Sequence, residues 1–184
     1  MTLKFDAMKL RGDSEWLSRV RYSERVVCTR GHRPNKLRGG YRGDGEALVE
    51  RAMFGLLKLD AGLVLSGMAL GWDQALCVAA KRLKLPYVAV VPMVGQERMW
   101  PAESQRHPTE LCRGALSVVV LSDSVDSADE AGQRLNARNE FMVRHSSAVL
   151  ALYSGSAGGT GNAVRCATRF RVRTLNVWDA TFAA

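Results

Sequence analysis

The sequence predicts an α/β fold with a parallel sheet at its centre, and two observations lead to this prediction. Short runs that are apolar throughout alternate with longer amphipathic stretches, which is typical of a parallel sheet covered by helices. Polar, glycine-rich segments follow the apolar runs, whereas the segments that lead back into them are short and plain. Because ligands bind beyond the carboxyl ends of such strands, we expect a site at one edge. The predicted fold class is a single doubly wound, mainly parallel sheet with helices on both faces.

Each element is predicted from its hydrophobic pattern. Short continuous apolar runs indicate buried strands, and apolar residues that recur near a spacing of 3.6, such as Leu48 and Leu56, indicate helices. Asp44 is placed to cap the first helix. The predicted strands are residues 25–29, 62–65, 86–91, 115–121, 147–153 and 174–177, and the predicted helices are residues 44–59, 72–83, 103–114, 132–144 and 161–170.

Composition indicates one globular domain. The chain has 184 residues, 47% hydrophobic and 24% charged, and is long enough to bury a core without a disulfide or a metal. We divide it into an N-terminal extension, residues 1–24, packed on or near a nucleotide-binding domain, residues 25–184. The cysteines stand singly, and we expect them to be reduced and structural: Cys28, Cys77, Cys112 and Cys166.

Charge and hydropathy restrict the partners. No apolar run reaches the ~18 residues of a membrane span, and the first residues lack the apolar centre of a signal peptide, so we expect a cytoplasmic protein without membrane contact. The formal net charge of +8 favours anionic partners, namely nucleotides, nucleic acid or an acidic surface, without choosing among them. Basic residues concentrate in residues 11–42 and 165–173, where a solvated face and a binding surface both remain open.

Two loops predict one pocket for a phosphate-bearing ligand. Glycine lets the backbone turn sharply, and the free N–H groups of a following helix point at an anion. In residues 154–162 the alternative is a plain strand–helix turn, and in residues 66–73 Asp73 either binds a ribose hydroxyl or caps the helix. The candidate ligand contacts are Gly158, Gly159, Thr160 and Asn162 in the first loop, and Ser66, Gly67, Gly71 and Asp73 in the second.

Further candidates follow other strands or lie on a helix. Arginine suits phosphate because its planar fork donates two parallel hydrogen bonds, and Trp100 is able to stack on a base. For each of them the alternative is an ordinary surface residue. The candidates are Thr29, Gly31, His32 and Arg33 after the first strand, Gln96 and Trp100 after the third, and Arg138 and Asn139 on a helix.

Five segments of the chain carry a shared pattern, in this order: Thr29 with Gly31-His32-Arg33-Pro34, Lys36-Leu37 and Gly39-Gly40-Tyr41; residues 66–73; residues 92–96 with Trp100; Arg138-Asn139 with Met142-Val143; and Gly158-Gly159-Thr160 with Asn162-Ala163. This pattern resembles the YpsA-like proteins of the SLOG superfamily, which joins the Smf/DprA DNA-processing proteins to the lonely-guy enzymes. The resemblance implies a Rossmann-like fold with a nucleotide-type pocket, in proteins of bacteria and phages that are presumed to bind ligands.

Three arginines depart from that pattern. Arg30 interrupts the Thr-Gly junction and Arg38 the Leu-Gly-Gly junction, so we expect a longer and more basic loop. Arg144 stands where the family commonly has Asp, which would alter any metal or ribose contact of that acid.

Three functional hypotheses follow. The favoured one is binding of a nucleotide-derived small molecule, such as ADP-ribose, an NAD-related metabolite or a cyclic nucleotide signal, by a sensor or sequestering protein that needs no cofactor or metal and whose homo-oligomerisation is open. An alternative is an N-glycosidic or phosphoester hydrolase, although residues 161–165 lack the carboxylate that follows this loop in lonely-guy enzymes. The third is a DprA-like binder of single-stranded nucleic acid, ranked last because the arginine-rich residues 30–42 contain one aromatic residue, Tyr41.

Overall fold

The computed structural model describes residues 25–39, 45–156 and 159–183, and within them the sheet is the predicted one. Six parallel strands lie in the order β4-β3-β2-β1-β5-β6. The N-terminal extension, Asp44 and Gly158 fall outside the described residues. The strands are β1 Val26–Gly31, β2 Leu63–Ser66, β3 Tyr87–Val91, β4 Ser117–Val120, β5 Ala148–Leu152 and β6 Arg173–Asn176.

Helices cover both faces of the sheet and bury its apolar runs. The helices are α1 Gly45–Lys58, α2 Trp72–Arg82, α3 Arg106–Arg113, α4 Ala128–Arg144 and α5 Gly159–Arg169. On one face the core includes residues of α1, α2 and α3, with Trp72 fully buried and its Nε1 donating to the Leu150 carbonyl at 3.3 Å. On the other face it includes Met142 of α4 and Ala167 of α5. The predicted doubly wound α/β fold is therefore confirmed.

Strand order reverses between β1 and β5. From β1 the chain proceeds through β2, β3 and β4 in one direction, and it then returns to place β5 on the other side of β1. The pairing keeps Thr29 beside Leu150 and Gly31 beside Leu152. The helices that follow these two strands diverge to opposite faces, which opens a crevice at the strand ends where ligands bind in such sheets.

Most boundaries lie within a few residues of the sequence expectation, and two of the differences have specific causes. Arg30 lies inside β1 and pairs with Ala151, so the interpretation of Arg30 as a lengthening of the loop is wrong. The apolar run ends before Arg30, but the strand continues through Arg30 to Gly31 because both residues pair with β5. Helix α4 begins at Ala128 rather than at residue 132, because the Ser127 hydroxyl accepts a hydrogen bond from the Glu130 N–H at 3.1 Å and caps the helix.

Gly55 tests the packing of α1 on the sheet. A Cβ at Gly55 would lie 2.5 Å from Cδ1 of the fully buried Leu150, so we expect Gly55→Ala to lower the free energy of unfolding by about 1–3 kcal/mol. Gly132 of α4 has no atom within 4 Å of its Cβ position, and Gly132→Ala should raise stability by up to about 1 kcal/mol. Urea unfolding of both variants measures the difference, and equal effects would contradict the packing described.

Candidate functional site

A cleft of about 440 Å³ lies at the carboxyl ends of β1 and β5, at the point of strand reversal. Its walls come from the end of β1 and the loop after it, from α4, and from the segment that enters α5. This volume suits a ligand of nucleotide size. The lining residues are Arg30, Gly31, His32, Arg33, Asn35, Lys36, Ala69, Asp73, Gly132, Leu135, Asn136, Arg138, Asn139, Ser156 and Thr160.

Two buried arginines line this cleft. Arg30 of β1 is 5% exposed and Arg138 of α4 is 3% exposed. Burial, followed by the positive charge of Arg30, lowers the pKa of Arg138 to about 9, and burial also lowers the pKa of Arg30. Each shift reflects an unfavourable environment for a cation, since both guanidinium groups are desolvated and Arg138 is also repelled by Arg30. A pKa of about 9 leaves Arg138 charged near neutral pH, and arginine side chains in general stay protonated in proteins.

The hydrogen bonds of the two arginines are unequal. Arg138 donates from Nη1 to the Gly67 carbonyl and from Nε to the Asn139 Oδ1 at 3.1 Å. Arg30 donates from Nη2 to the Met142 sulfur at 3.6 Å, a weak acceptor, and its buried Nε has no partner among the described residues. A buried donor without an acceptor is costly, so the burial of the Arg30 guanidinium is less well compensated than that of Arg138.

Asp73 is the one carboxylate among the described residues that line the cleft. It lies in the first turn of α2, where its Oδ1 accepts from the Thr29 hydroxyl at 2.8 Å and its Oδ2 from the Ala69 N–H at 3.4 Å. Both oxygens therefore hold the loop of residues 66–71 against β1. Thr29 is fully buried beneath this pair and does not line the cleft.

The second glycine loop supports the cleft from behind. The Ser66 hydroxyl donates to the Asp73 carbonyl at 2.9 Å and accepts from the Met68 N–H at 3.2 Å. A side chain at Gly67 would overlap Arg138, and Gly71, with φ +88°, packs against the His32 carbonyl. Ser66, Gly67 and Gly71 do not line the cleft, so the expected direct contact of this loop with phosphate is not what the structure shows.

His32 connects the two strand ends. Its Nε2 accepts from the Ser154 N–H at 2.9 Å and lies 2.8 Å from the Ser154 Oγ, and the Thr160 hydroxyl donates to the Gly31 carbonyl at 3.0 Å. Burial, followed by the charge of Lys36, lowers the pKa of His32. The neutral ring therefore anchors the glycine loop to β1, with its Nε2 already in use.

The remaining predicted contacts divide between the cleft and its surroundings. Asn139 and Arg33 line the cleft, and Asn162 donates to the Asn136 Oδ1 at 2.6 Å, next to it. Gly159 begins α5. Gln96 and Trp100 lie beyond β3 and are not among the lining residues, because two strands, β2 and β1, separate β3 from β5.

Sequence reasoning missed several lining residues. Gly132 and Asn136 were missed, although they recur at a helical spacing with the predicted Asn139 on one face of α4, a signal that was present in the sequence. Arg30 is marked as a charged residue that ends an apolar run, although its burial depends on β5. Arg144 pairs with Glu140 at 2.6 Å, stacks on Phe170 and is not among the cleft residues.

Aromatic side chains lie beside the cleft. The His32 ring centroid is 5.1 Å from the ring of Trp178 and 6.0 Å from that of Tyr153. Asn176 anchors Tyr153 from β6: its Oδ1 accepts from the Tyr153 N–H at 3.0 Å and its Nδ2 donates to the Tyr153 carbonyl at 2.8 Å. These residues are distant in sequence from the arginine-rich loop, and tertiary structure brings them to it.

A parallel doubly wound sheet with a cleft at its point of strand reversal defines a Rossmann-like protein, and here the cleft is lined by basic side chains. Residues 41–181 match the family model of DNA recombination-mediator protein A, and the chain belongs to that family. The resemblance to the DNA-processing branch is thereby confirmed, whereas the narrower YpsA-like assignment stays a prediction.

Individual proteins also resemble this chain in sequence or in fold. The chain is 29% identical to the uncharacterized SPbeta prophage-derived protein YoqJ of Bacillus subtilis (strain 168), over 57% of this chain and 68% of that protein. DNA processing protein A of Streptococcus pneumoniae superposes with a TM-score of 0.56 at 20% identity, covering 81% of this chain and 48% of that one. The chain thus spans about half the length of the pneumococcal protein.

A second solved structure shows the same fold. DNA processing protein A of Helicobacter pylori superposes with a TM-score of 0.57 at 18% identity, covering 89% of this chain and 67% of that one. Its structure concerns the binding of single-stranded DNA by that protein. Across the described part of this chain no helix has the length and apolar character needed to cross a membrane, and no group of three or more His, Cys, Asp or Glu side chains is placed to hold a metal.

The imbalance between the arginines predicts opposite effects on stability. Arg30→Met removes a buried charge with an unpartnered Nε, so we expect the free energy of unfolding to rise by about 1–4 kcal/mol. Arg138→Met leaves the Gly67 carbonyl without its donor and should lower stability. Urea unfolding compares the two variants, and a loss in Arg30→Met as large as that in Arg138→Met would contradict the assigned imbalance.

His32 predicts a dependence of stability on pH. Its folded pKa lies below the unfolded value of about 6.5, so the neutral ring contributes stability that is complete above pH 6.5. This contribution is lost as the pH falls through the lower, folded pKa. Melting temperatures of the wild type should therefore fall more steeply between pH 7.5 and 5 than those of His32→Gln, which lacks this titration. Parallel curves for the two proteins would show that His32 is not the group responsible.

Proposed function

We propose that this protein binds single-stranded nucleic acid and that the cleft holds a phosphate of the strand between Arg30 and Arg138. The observation that carries the proposal is the pair of buried arginines, Arg30 and Arg138, that line the cleft together. Guanidinium suits this role because its planar fork matches two phosphate oxygens.

The start of α5 supports an anion at the same place. Thr160, in the first turn of this helix, lines the cleft, and that turn contains no acidic residue. The helix runs over 11 residues, Gly159–Arg169, so its first N–H groups carry the positive end of a helix dipole. Helix N-termini bind phosphate in this way when cations assist them.

Aromatic residues next to the lining residue His32 support nucleic acid over a bare anion. Binding of single strands combines a basic groove with side chains on which bases stack. Tyr153 and Trp178 flank His32 within about 6 Å, and Asn176 fixes the backbone of Tyr153. The scarcity of aromatic residues within residues 30–42 is thus compensated by residues from the ends of β5 and β6.

The comparisons support the same choice. The family is described as a recombination mediator that acts on DNA, and the H. pylori protein of the same fold binds single-stranded DNA. We carry these properties to this chain as part of the proposal.

A second candidate function is binding of a nucleotide-derived small molecule such as ADP-ribose. The observation that favours it is the volume of the cleft, about 440 Å³, which suits one nucleotide-sized ligand. Hydrolysis of such a ligand has less support, because the lining residues in the described part of the chain offer one carboxylate, Asp73, with both oxygens already hydrogen-bonded.

Fluorescence anisotropy with a labelled single-stranded oligonucleotide tests the proposal. We expect Arg30→Met to weaken binding by about tenfold or more, since a charge-assisted hydrogen bond contributes about 1.5–3 kcal/mol. The matched control is Arg173→Met. Arg173 is exposed at the first residue of β6, so it lies at the amino ends of the strands, whereas the cleft lies at their carboxyl ends. The affinity should also fall with salt, less steeply in Arg30→Met than in the wild type.

The outcomes separate the two candidate functions. Loss of affinity in Arg30→Met and its retention in Arg173→Met support the cleft as the site for nucleic acid. Equal losses in the two variants, or no binding of any strand, overturn the proposal. A rise in melting temperature with ADP-ribose, together with no binding of strands, selects the small-molecule function. Mass spectrometry of the incubated ligand then shows whether it is hydrolysed.

A further inference from the structure

We propose that the cleft selects a phosphomonoester, the doubly charged terminal phosphate of a strand or of a free nucleotide, over the singly charged phosphodiester within a strand. This inference rests on the proposed function of the same site. It adds the chemical class of the phosphate that fills the cleft.

The charges of the cleft favour a dianion. The basic side chains that line the cleft are Arg30, Arg33, Lys36 and Arg138, and the positive charges of Arg30 and Arg33 both lower the pKa of Arg138. Asp73 offsets one of these four positive charges, which leaves an excess of three. A phosphodiester offsets one of the three, whereas a phosphomonoester carries close to two negative charges at neutral pH and offsets about two.

The donors of the cleft point to the same ligand. A phosphomonoester presents three terminal oxygens, and a phosphodiester presents two. Arg30 and Arg138 line the cleft and offer the N–H groups of their forks that are not bound within the protein, and the first turn of α5 adds backbone N–H groups beside Thr160. Three acceptor oxygens use this supply of donors more fully than two.

The depth of the arginines restricts the path of a strand. Arg30 and Arg138 are 5% and 3% exposed, at the bottom of a cleft walled by the loop after β1, by α4 and by the segment that enters α5. An internal phosphate carries a nucleoside on each side, and both nucleosides would have to fit into the cleft when that phosphate contacts the arginines. A terminal phosphate brings one nucleoside, which the volume of about 440 Å³ accommodates.

The second ionisation of the phosphate makes this selectivity dependent on pH. A phosphomonoester gains its second charge near pH 6, so its affinity should rise between pH 5.5 and 7.5, whereas a phosphodiester does not titrate in this range.

The charged and titratable groups that face Arg30 belong to the sheet, the loop and the helices on both sides: Cys28, His32, Arg33, Lys36, Asp73, Arg138 and Cys166. Burial keeps the thiols of Cys28 and Cys166 protonated by raising their pKa values. Titration of His32 changes the affinity for both kinds of ligand in the same way. The difference in pH dependence between the two ligands therefore reports the ionisation of the phosphate alone.

The experiment compares single strands of one sequence with a 5′-phosphate, with a 3′-phosphate, or with hydroxyl groups at both ends. A strand one nucleotide longer, with hydroxyl ends, supplies one additional internal charge as the matched control. A deoxynucleoside monophosphate and its nucleoside serve as competitors. We expect one of the phosphorylated strands to bind at least tenfold more tightly than the longer hydroxyl strand at pH 7.5, and the ratio to shrink at pH 5.5.

The same ratio is then measured in Arg30→Met and in Arg173→Met. The preference should be lost in the first variant and retained in the second, in which the cleft is intact. Equal affinity for phosphorylated and hydroxyl strands overturns this inference and leaves the proposed function standing. Binding of the monophosphate without binding of any strand overturns the proposed function and supports the selectivity for a phosphomonoester. No binding of any of these probes overturns both.

Discussion

The carboxylate of Asp73 is the constraint on which the rest of the site depends. One oxygen holds the Thr29 hydroxyl of β1 and the other holds the Ala69 N–H of the loop that enters α2. The same residue accepts the Ser66 hydroxyl at its carbonyl, so three segments converge on it. Its charge also makes it tolerable to bury Arg138 and Arg30 nearby, because it favours the protonated form of both. The hydrogen bonds of Asp73 thus order the backbone, and its negative charge partly compensates the buried positive charge.

Much of the fold was predictable because the strands of a sheet covered on both faces are apolar throughout. This pattern located all six strands to within a few residues. The boundaries that differ have specific causes: β5 extends β1 through Arg30, and the Ser127 cap extends α4 at its start. Neither is visible in the periodicity of the chain, since one is a long-range pairing and the other a single hydrogen bond in a polar segment.

The candidate site was predictable in its location and less so in its contacts. Polar residues after strands were expected to meet at one edge, and His32, Arg33 and Thr160 do so. The sequence could not show that Ser66 and Gly67 face inward to support an arginine, or that β3 lies too far from the cleft for Gln96. Strand order decides such distances, and it follows from the whole topology rather than from any segment.

Arg138 crosses from one layer of the molecule to the other. It belongs to α4, which packs on one face of the sheet, and it donates to Gly67, whose loop leads into α2 on the opposite face. A ligand that binds the Arg138 guanidinium would therefore restrain the helices on both faces of the sheet. When the cleft is occupied, amide hydrogen exchange should slow in α2 and in α4 together. The local stability of the two helices, on opposite faces of the sheet, is then coupled through Arg138.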